Sequence, residues 1–140
     1  MSLKIAAPPS PPPSHTHFPT EDRAPAVPYT IQPYNACRVA ALLPLLQETL
    51  GNSGAVRKTA DFWHWKHEAN PFGTSYGLIA WDDSAAQAVG LRVLMRWRFR
   101  KPDGTHCHAV RAVDTATHPA YQRMGIFTRL TRQAIAELSE

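Results

Sequence analysis

The sequence predicts an α+β fold, in which helices flank a mainly antiparallel sheet in α/β/α-like layers. Two patterns predict it: strand-like alternation near residues 29–32, 76–81 and 92–117, and helical spacing of apolar residues within 36–50 and 127–138. With 140 residues, of which 44% are hydrophobic and 19% charged, the chain has enough apolar material for one globular core.

The first residues of the chain are rich in proline and serine. Nine of the 13 prolines lie within the first 33 residues. Such a stretch cannot bury enough apolar surface to offset the entropy lost on ordering it. We therefore expect a disordered tail over residues 1–28 and a folded domain over residues 29–140.

The folded part should begin with a strand and a helix. Residues 29–32 alternate, and Pro33 places this strand at an edge of the sheet. Asn35 is the predicted cap of a helix that ends at Gly51. Pro44 lies inside the apolar pattern of this helix and predicts a kink or a break, because proline removes a backbone hydrogen bond.

A second helix, a hairpin and a final helix should follow. Thr59 or Asp61 can cap the second helix, and residues 76–81 form the next strand. Asp103 and Gly104 predict the turn of a hairpin whose return strand covers residues 106–117. The last helix is amphipathic, with a predicted apolar stripe of Phe127, Leu130, Ala134, Ile135 and Leu138.

The strand over residues 92–100 carries two contrasting faces. One face has Val93, Met95, Trp97 and Phe99, and the other has Arg92, Leu94, Arg96, Arg98 and Arg100. A reader of single-stranded nucleic acid needs arginines and aromatic rings on one exposed face. The separation instead predicts a buried aromatic face and a solvated basic one, although a basic nucleic-acid-binding module stays open as an alternative.

Residues 114–127 form the stretch with the clearest chemical meaning. It leaves a strand, crosses a short loop that contains Gly125, and enters the last helix. A helix N-terminus presents unpaired N–H groups and a partial positive charge, and a glycine lets the backbone approach a ligand closely. The stretch therefore predicts a binding site for a phosphate or diphosphate.

This stretch resembles motif A of the GNAT N-acetyltransferase superfamily, in which a strand ends before His-Pro and a Gln/Arg-x-x-Gly-x-Gly/Ala loop opens a helix. The resemblance implies a partial GNAT fold and transfer of an acetyl group from acetyl-CoA to an amine, with no metal. It also implies a site for the diphosphate at Gln122, Arg123, Met124, Gly125, Ile126 and Phe127. Backbone groups of Thr115, Ala116 and Thr117 would pair with the pantetheine arm.

The chain departs from the family pattern at two points. Position 127 is Phe where Gly or Ala is usual, and we expect its ring to point into the core as part of the apolar stripe. GNAT enzymes also continue past this helix with a splayed strand and further elements, so we expect the chain to be a fragment and its last strand to be an unpaired edge. A non-catalytic remnant that binds CoA is the alternative that this departure leaves open.

Asp114 is the only acidic residue of the predicted return strand. Acetyl transfer requires the amine to lose a proton, so Asp114 is the candidate catalytic base, directly or through water. The competing interpretation is a carboxylate that pairs with Arg111 or another strand arginine, or that is simply solvated.

Histidines and aromatic residues give weaker signals. His64 and His67 share a helix, but nothing in the spacing shows four converging ligands, and His106 and His108 face away from Cys107 in a strand. We expect no metal site here. The aromatic residues around the second helix are expected to pack in the core, although the family resemblance also places this region at the acceptor pocket; they are Phe62, Trp63, Trp65 and Phe72.

Charge, cysteine content and hydropathy limit which partners and which cellular compartment we expect for this protein. The net charge of +4 permits an anionic partner without selecting one, and no apolar run is long enough to cross a membrane. Cys37 and Cys107 do not form a disulfide-rich or CxxC pattern, so we expect a cytoplasmic protein. The expected partner is a small-molecule or peptide amine, and the unpaired edge leaves an oligomer open.

Overall fold

The computed structural model describes residues 28–51 and 58–139, and the predicted tail lies outside this part except for Pro28. Its centre is a four-stranded antiparallel sheet in the order β1-β2-β3-β4. The strands are β1 (Thr30–Pro33), β2 (Tyr76–Asp82), β3 (Gln87–Arg100) and β4 (His106–Thr117). The predicted order of elements along the chain, which is strand, helix, helix, three antiparallel strands and helix, is confirmed, and β1 and β4 are the two edges of the sheet.

Helices lie on both faces of this sheet. They are α1 (Val39–Leu50), α2 (Ala60–Trp63), which continues as a π-helical turn over His64–Glu68, and α3 (Ile126–Leu138). A 3₁₀ turn over Ala36–Arg38 precedes α1. Within the described residues, no helix is long and apolar enough to cross a membrane.

Two apolar clusters hold the layers together, one on each face of the sheet. Helices α1 and α2 cover the first cluster and α3 covers the second, because neighbouring strand residues point to opposite faces. The first cluster includes Leu42, Leu46, Trp63, Ile79, Leu91 and Val93. The second includes Leu78, Ala80, Val89, Ile126 and Leu130. The α+β layering predicted from the sequence is confirmed.

A bulge interrupts the pairing of β3 with β4. Leu91 pairs with Ala116 and Val93 pairs with Val113, so two residues of β4, Asp114 and Thr115, face the single residue between them. Asp114 has a φ of +44°, a conformation that few residues other than glycine adopt and that short polar side chains tolerate best. The bulge turns the end of β4 toward the start of α3.

Three local predictions about the helices can be compared with the structure. Helix α1 continues through Pro44, so of the predicted kink or break the break does not occur. The predicted cap at Asn35 is corrected, because its side chain makes no capping hydrogen bond. The Thr59 hydroxyl oxygen does cap α2, since it accepts a hydrogen bond from the Phe62 N–H at 3.2 Å.

The predicted apolar stripe of α3 is wrong at two positions. Phe127 is 52% exposed and Ile135 is 58% exposed, whereas Ile126, Leu130 and Ala134 are buried. The buried residues follow a strict spacing of four, so the face toward the sheet is narrower than the apolar pattern. Phe127 is turned about 100° away from Ile126 around the helix axis, and its ring therefore lies outside the core.

The aromatic face of β3 is also not buried as predicted. Pairing between β2 and β3 ends at Leu94, and beyond it β3 pairs with β4 alone. This two-stranded ribbon extends past the helices, so Trp97 is only partly buried and Phe99 is 56% exposed.

Candidate active site

A cavity of about 490 Å³ lies between the end of β4, the start of α3 and the end of α1. Eight of the nine residues predicted to bind the coenzyme line it: Thr115, Ala116, Thr117, Gln122, Arg123, Gly125, Ile126 and Phe127. The ninth, Met124, is not among the lining residues, and its carbonyl oxygen accepts a hydrogen bond from the Tyr29 hydroxyl at 3.3 Å. The fold thus brings together residues that the sequence spreads over two segments.

The N-terminus of α3 opens into this cavity. Gly125 occupies the N-cap position with a φ of +74° and supplies no side chain to cap the helix. The first helical hydrogen bond joins the Arg129 N–H to the Gly125 carbonyl at 3.0 Å. The N–H groups of the first turn have no partner within the helix, and the helix dipole adds a partial positive charge. An anion fits this end of the cavity.

Gly125 is required here by its backbone conformation and not by crowding. A Cβ atom at this position would meet no other atom within 4 Å, but a positive φ is strained for side-chain-bearing residues. Arg123, with a φ of +65°, has the same strained conformation two residues earlier. The positive φ angles of Arg123 and Gly125 change the direction of the loop so that it lines the cavity.

Arg92 lies beside this cavity, although the strand pattern of the sequence predicted that it lies on a solvated face. Its Nη1 donates a hydrogen bond to the Thr115 hydroxyl at 2.8 Å, and its guanidinium carbon lies 5.0 Å from the centre of the Phe127 ring. The side chain is partly buried because α3 covers this end of β3. Strand alternation alone does not show which part of a face a helix will cover.

Asp114 lies in a buried cluster of positively charged and polar groups. Its carboxylate accepts hydrogen bonds from Lys66 Nζ at 2.5 Å and from His67 Nε2 at 2.8 Å, and Lys58 Nζ lies 3.6 Å away. His67 is fully buried, and its Nδ1 lies 3.0 Å from the Ser75 hydroxyl. The partners come from α2 and its surroundings, and not from the strand arginines that the competing interpretation named.

The surroundings of Asp114 control its protonation. Burial alone would raise the pKa of the carboxyl group, but the hydrogen bonds and charges of His67 and Lys66 outweigh burial and hold the pKa well below its ordinary value. Asp114 is therefore a carboxylate at neutral pH and has low affinity for a proton. The catalytic role expected from the sequence stays a prediction, and this environment favours positioning over proton abstraction.

A second concavity, the aromatic groove, lies on the α2 side of Asp114 and has a volume of about 450 Å³. It is lined by Phe62, Trp65, Lys66, Ala69, Asn70, Pro71, Phe72, Met95, Arg96 and Trp97. Of the four aromatic residues predicted for the core in this region, only Trp63 is buried, at 3% exposure, while Trp65 is 67% exposed. Rings that the sequence suggested as core residues therefore line a groove.

The histidines and cysteines of β4 form no further site. His106 and His108 are exposed, and Cys107 carries a free thiol. Within the residues that the structure describes, no group of three or more His, Cys, Asp or Glu side chains could hold a metal ion.

Comparison with known proteins gives matches among solved structures only. No protein-family model and no curated protein sequence matches the chain. An acetyltransferase from Trypanosoma brucei is similar with 16% identity and a TM-score of 0.53, over 79% of this chain and 74% of its own. An aminoglycoside antibiotic 6'-N-acetyltransferase from Acinetobacter baumannii has 17% identity and a TM-score of 0.56, over 77% and 69%.

A plant enzyme has the same kind of similarity. The glucosamine-6-phosphate N-acetyltransferase from Arabidopsis thaliana has 8% identity and a TM-score of 0.56, over 77% of this chain and 72% of its own. Identities this low carry information about the fold alone. The chain has the fold of the GNAT N-acetyltransferases, as its motif predicts.

Proposed function

We propose that this protein is a GNAT-type N-acetyltransferase that binds acetyl-CoA and transfers the acetyl group to an amine. The observation that carries the proposal is the uncapped N-terminus of α3, which opens into a cavity lined by eight of the nine predicted coenzyme residues. Unpaired N–H groups and the helix dipole suit a diphosphate. The cytoplasmic location expected from the sequence belongs to the same proposal.

The reaction would be a direct transfer. The diphosphate lies against the loop that ends at Gly125, and the pantetheine arm follows the backbone of Thr115–Thr117 toward the β4 bulge. The amine nitrogen attacks the thioester carbonyl carbon, the C–N bond forms, and the C–S bond breaks. The amine loses one proton, and the coenzyme leaves as its thiol. Backbone N–H groups on the free edge of β4 are the candidate donors to the carbonyl oxygen.

In this reaction scheme, Asp114 positions other side chains and does not accept the proton of the amine. Because its proton affinity is low, the amine proton passes to solvent, and the carboxylate holds Lys66 and His67 beside the bulge where the acetyl group would lie. Positioning of this kind supports catalysis by fixing the reacting groups relative to one another.

Coenzyme binding to matched glycine variants tests the proposal. We expect acetyl-CoA to bind the parent chain in isothermal titration calorimetry and Gly125→Glu to weaken binding by at least about tenfold, because the new carboxylate enters an anion site. Gly104→Glu is the control, since Gly104 also has a positive φ, +84°, but lies in the β3–β4 turn. Equal affinity in both variants, or no binding to the parent, would overturn the proposal.

Two further readouts separate an enzyme from the alternatives. Thiol release in the presence of an amine acceptor identifies an acetyltransferase, while coenzyme binding without thiol release identifies a CoA-binding remnant. Glucosamine-6-phosphate and an aminoglycoside are useful first acceptors, because the names of two structural neighbours specify them. Binding to DNA or RNA with a steep salt dependence, and none to acetyl-CoA, would identify a nucleic-acid module instead.

A further inference from the structure

We propose that the aromatic groove holds the acceptor, and that it selects an amine that also carries a flat apolar group and an acidic group. This inference rests on the proposed acetyltransferase function and adds the chemical class of its acceptor. Three features of the groove support it: its rings, its charges and its contact with Asp114.

Two aromatic pairs line the groove, one from α2 and its π-helical turn and one from Phe72 and β3. Phe62 and Trp65 have ring centres 5.7 Å apart, and so do Phe72 and Trp97. Trp65 is 67% exposed, although a large ring in a monomer is usually covered. Two pairs of rings in one groove suit a flat apolar group, which can stack against either pair.

The charged side chains that line the groove are cationic, namely Lys66 and Arg96. Lys66 is paired with Asp114, so the charge that can attract a ligand comes from Arg96 and from Arg98, whose guanidinium carbon lies 5.8 Å from the centre of the Phe72 ring. None of the ten lining residues carries a carboxylate. An acidic group on the acceptor would be attracted, whereas a polyamine or another polycation would be repelled.

The carboxylate that pairs with Lys66 does not reverse this balance. Asp114 is 6% exposed at its side chain and is already paired with Lys66, His67 and Lys58. Its charge is therefore compensated within the protein. A second cationic group on the acceptor finds no free carboxylate among the described residues that line the groove.

Asp114 also connects the groove to the coenzyme cavity. Lys66 lines the groove and donates to the Asp114 carboxylate, and the next residue along β4, Thr115, lines the cavity. In the proposed binding mode, an acceptor whose ring lies in the groove extends its amine past Asp114 toward the thioester. Asp114 and Thr115 form the β4 bulge, so the bulge joins a contact of the groove residue Lys66 to a residue of the cavity.

Three amines test the inference by tryptophan fluorescence of the full chain. Phenylalanine carries a ring, an amine and a carboxylate; phenethylamine lacks only the carboxylate; spermidine is a polycation without a ring. We expect phenylalanine to bind about tenfold more tightly than phenethylamine, and spermidine not to compete. Equal binding of phenylalanine and phenethylamine, or competition by spermidine, would overturn the inference.

Two exposed variants locate the contacts without disturbing the core. Arg98→Gln should weaken phenylalanine binding about fivefold and leave phenethylamine unchanged, because only the first carries an anion. Trp65→Ala should weaken both ligands. If neither variant changes either affinity, the groove is not the binding site.

A parallel titration with acetyl-CoA separates this inference from the proposed function. If acetyl-CoA binds and the parent chain does not bind phenylalanine, the acceptor class is wrong and the acetyltransferase proposal stands. If acetyl-CoA does not bind, the acetyltransferase proposal fails, and with it the groove's role as an acceptor site, whatever phenylalanine does. Phenylalanine-dependent thiol release from acetyl-CoA supports both together.

Discussion

Gly90 lies directly beneath the first turn of α3, and Gly90→Ala should therefore displace the helix that contributes to the proposed coenzyme site. A Cβ atom at this position would lie 2.3 Å from Ile126 Cγ2 and 3.1 Å from Ala80 Cβ. Ordinary contact between carbon atoms is about 4 Å, so the added methyl group overlaps Ile126 by roughly 1.7 Å. Ile126 is 2% exposed and lines the cavity at the start of α3, so its side chain can give way only by moving α3 or by entering that cavity.

The expected effect on stability follows from two opposing contributions. Alanine lowers the entropy of the unfolded chain and would stabilise a strand by about 0.5–1 kcal/mol. Overpacking of a dense core costs about 1–3 kcal/mol and often more when the neighbour cannot move. We expect a net loss of about 2 kcal/mol, which lowers the Tm by roughly 8 °C for a domain of this size. Acetyl-CoA should also bind more weakly, since Ile126 is the first residue of α3.

A double-mutant cycle shows whether the Ile126 contact is the cause. Ile126→Ala removes the clashing methyl group and alone costs about 2–4 kcal/mol. In the Gly90→Ala, Ile126→Ala double variant, the added methyl fills part of the space left by the removed one, so the combined loss should be smaller than the sum. Thermal unfolding by circular dichroism measures the cycle. Strict additivity, or a Gly90→Ala protein with unchanged Tm and coenzyme affinity, would refute this reasoning.

Two further variants test the role of Phe127 in the proposed coenzyme cavity and the contribution of Asp82 to the pH dependence of stability. Phe127→Ala should tighten acetyl-CoA binding by roughly threefold to tenfold, because the ring, which is 52% exposed, occupies part of the cavity and covers Arg92. Ile135→Ala is the control in the same calorimetric titration. It removes another exposed apolar side chain of α3 and should have no effect. Asp82 has a pKa lowered to about 2, mainly by hydrogen bonds from Ser84 and Tyr121, so its stabilisation is present above the ordinary value of 3.8 and is lost as the pH falls toward 2. Asp82→Asn should flatten that part of the pH–stability profile, and an unchanged profile would contradict the assignment.

Local patterns predicted most of the fold because each element carries its own signal. The turn at Asp103 and Gly104 defined the hairpin, and Gly125 marked the start of α3. These features depend on backbone conformation near one or two residues. Eight of the nine residues predicted to bind the coenzyme line one cavity, since they are adjacent in two short segments; their role in binding stays a prediction.

The errors occurred where the outcome depends on which element covers which surface. Phe127 continues an apolar pattern in the sequence. The face of α3 that meets the sheet is instead the one that carries Ile126, because the buried Ile126 side chain packs against Gly90 of β3. Trp97 follows the alternating pattern of a core residue, yet it lies in the part of β3 that extends beyond the last pair with β2. The partners of Asp114 were missed because α2 and β4 are separated by about 47 residues of chain.

Asp114 combines a left-handed backbone conformation in the β4 bulge with a buried charge, and two replacements of it can separate these roles. Asp114→Gly keeps the left-handed conformation and relieves strain of about 1 kcal/mol, while Asp114→Asn keeps a short polar side chain; both leave Lys66 and His67 without their carboxylate. Removing one partner of a buried ion pair costs about 3 kcal/mol, so both variants should be less stable than the parent at pH 7.

The pH dependence distinguishes charge from packing in these variants. The Asp114 carboxylate has a lowered pKa, so its contribution is complete above the ordinary value of 3.8 and disappears as the pH falls through the lowered one. The stability gap between the parent and Asp114→Asn should therefore narrow as urea unfolding is repeated at pH values below about 4. A gap that stays constant with pH would assign the effect to packing. An Asp114→Gly protein more stable than the parent would show that β4 needs the bulge and not the carboxylate.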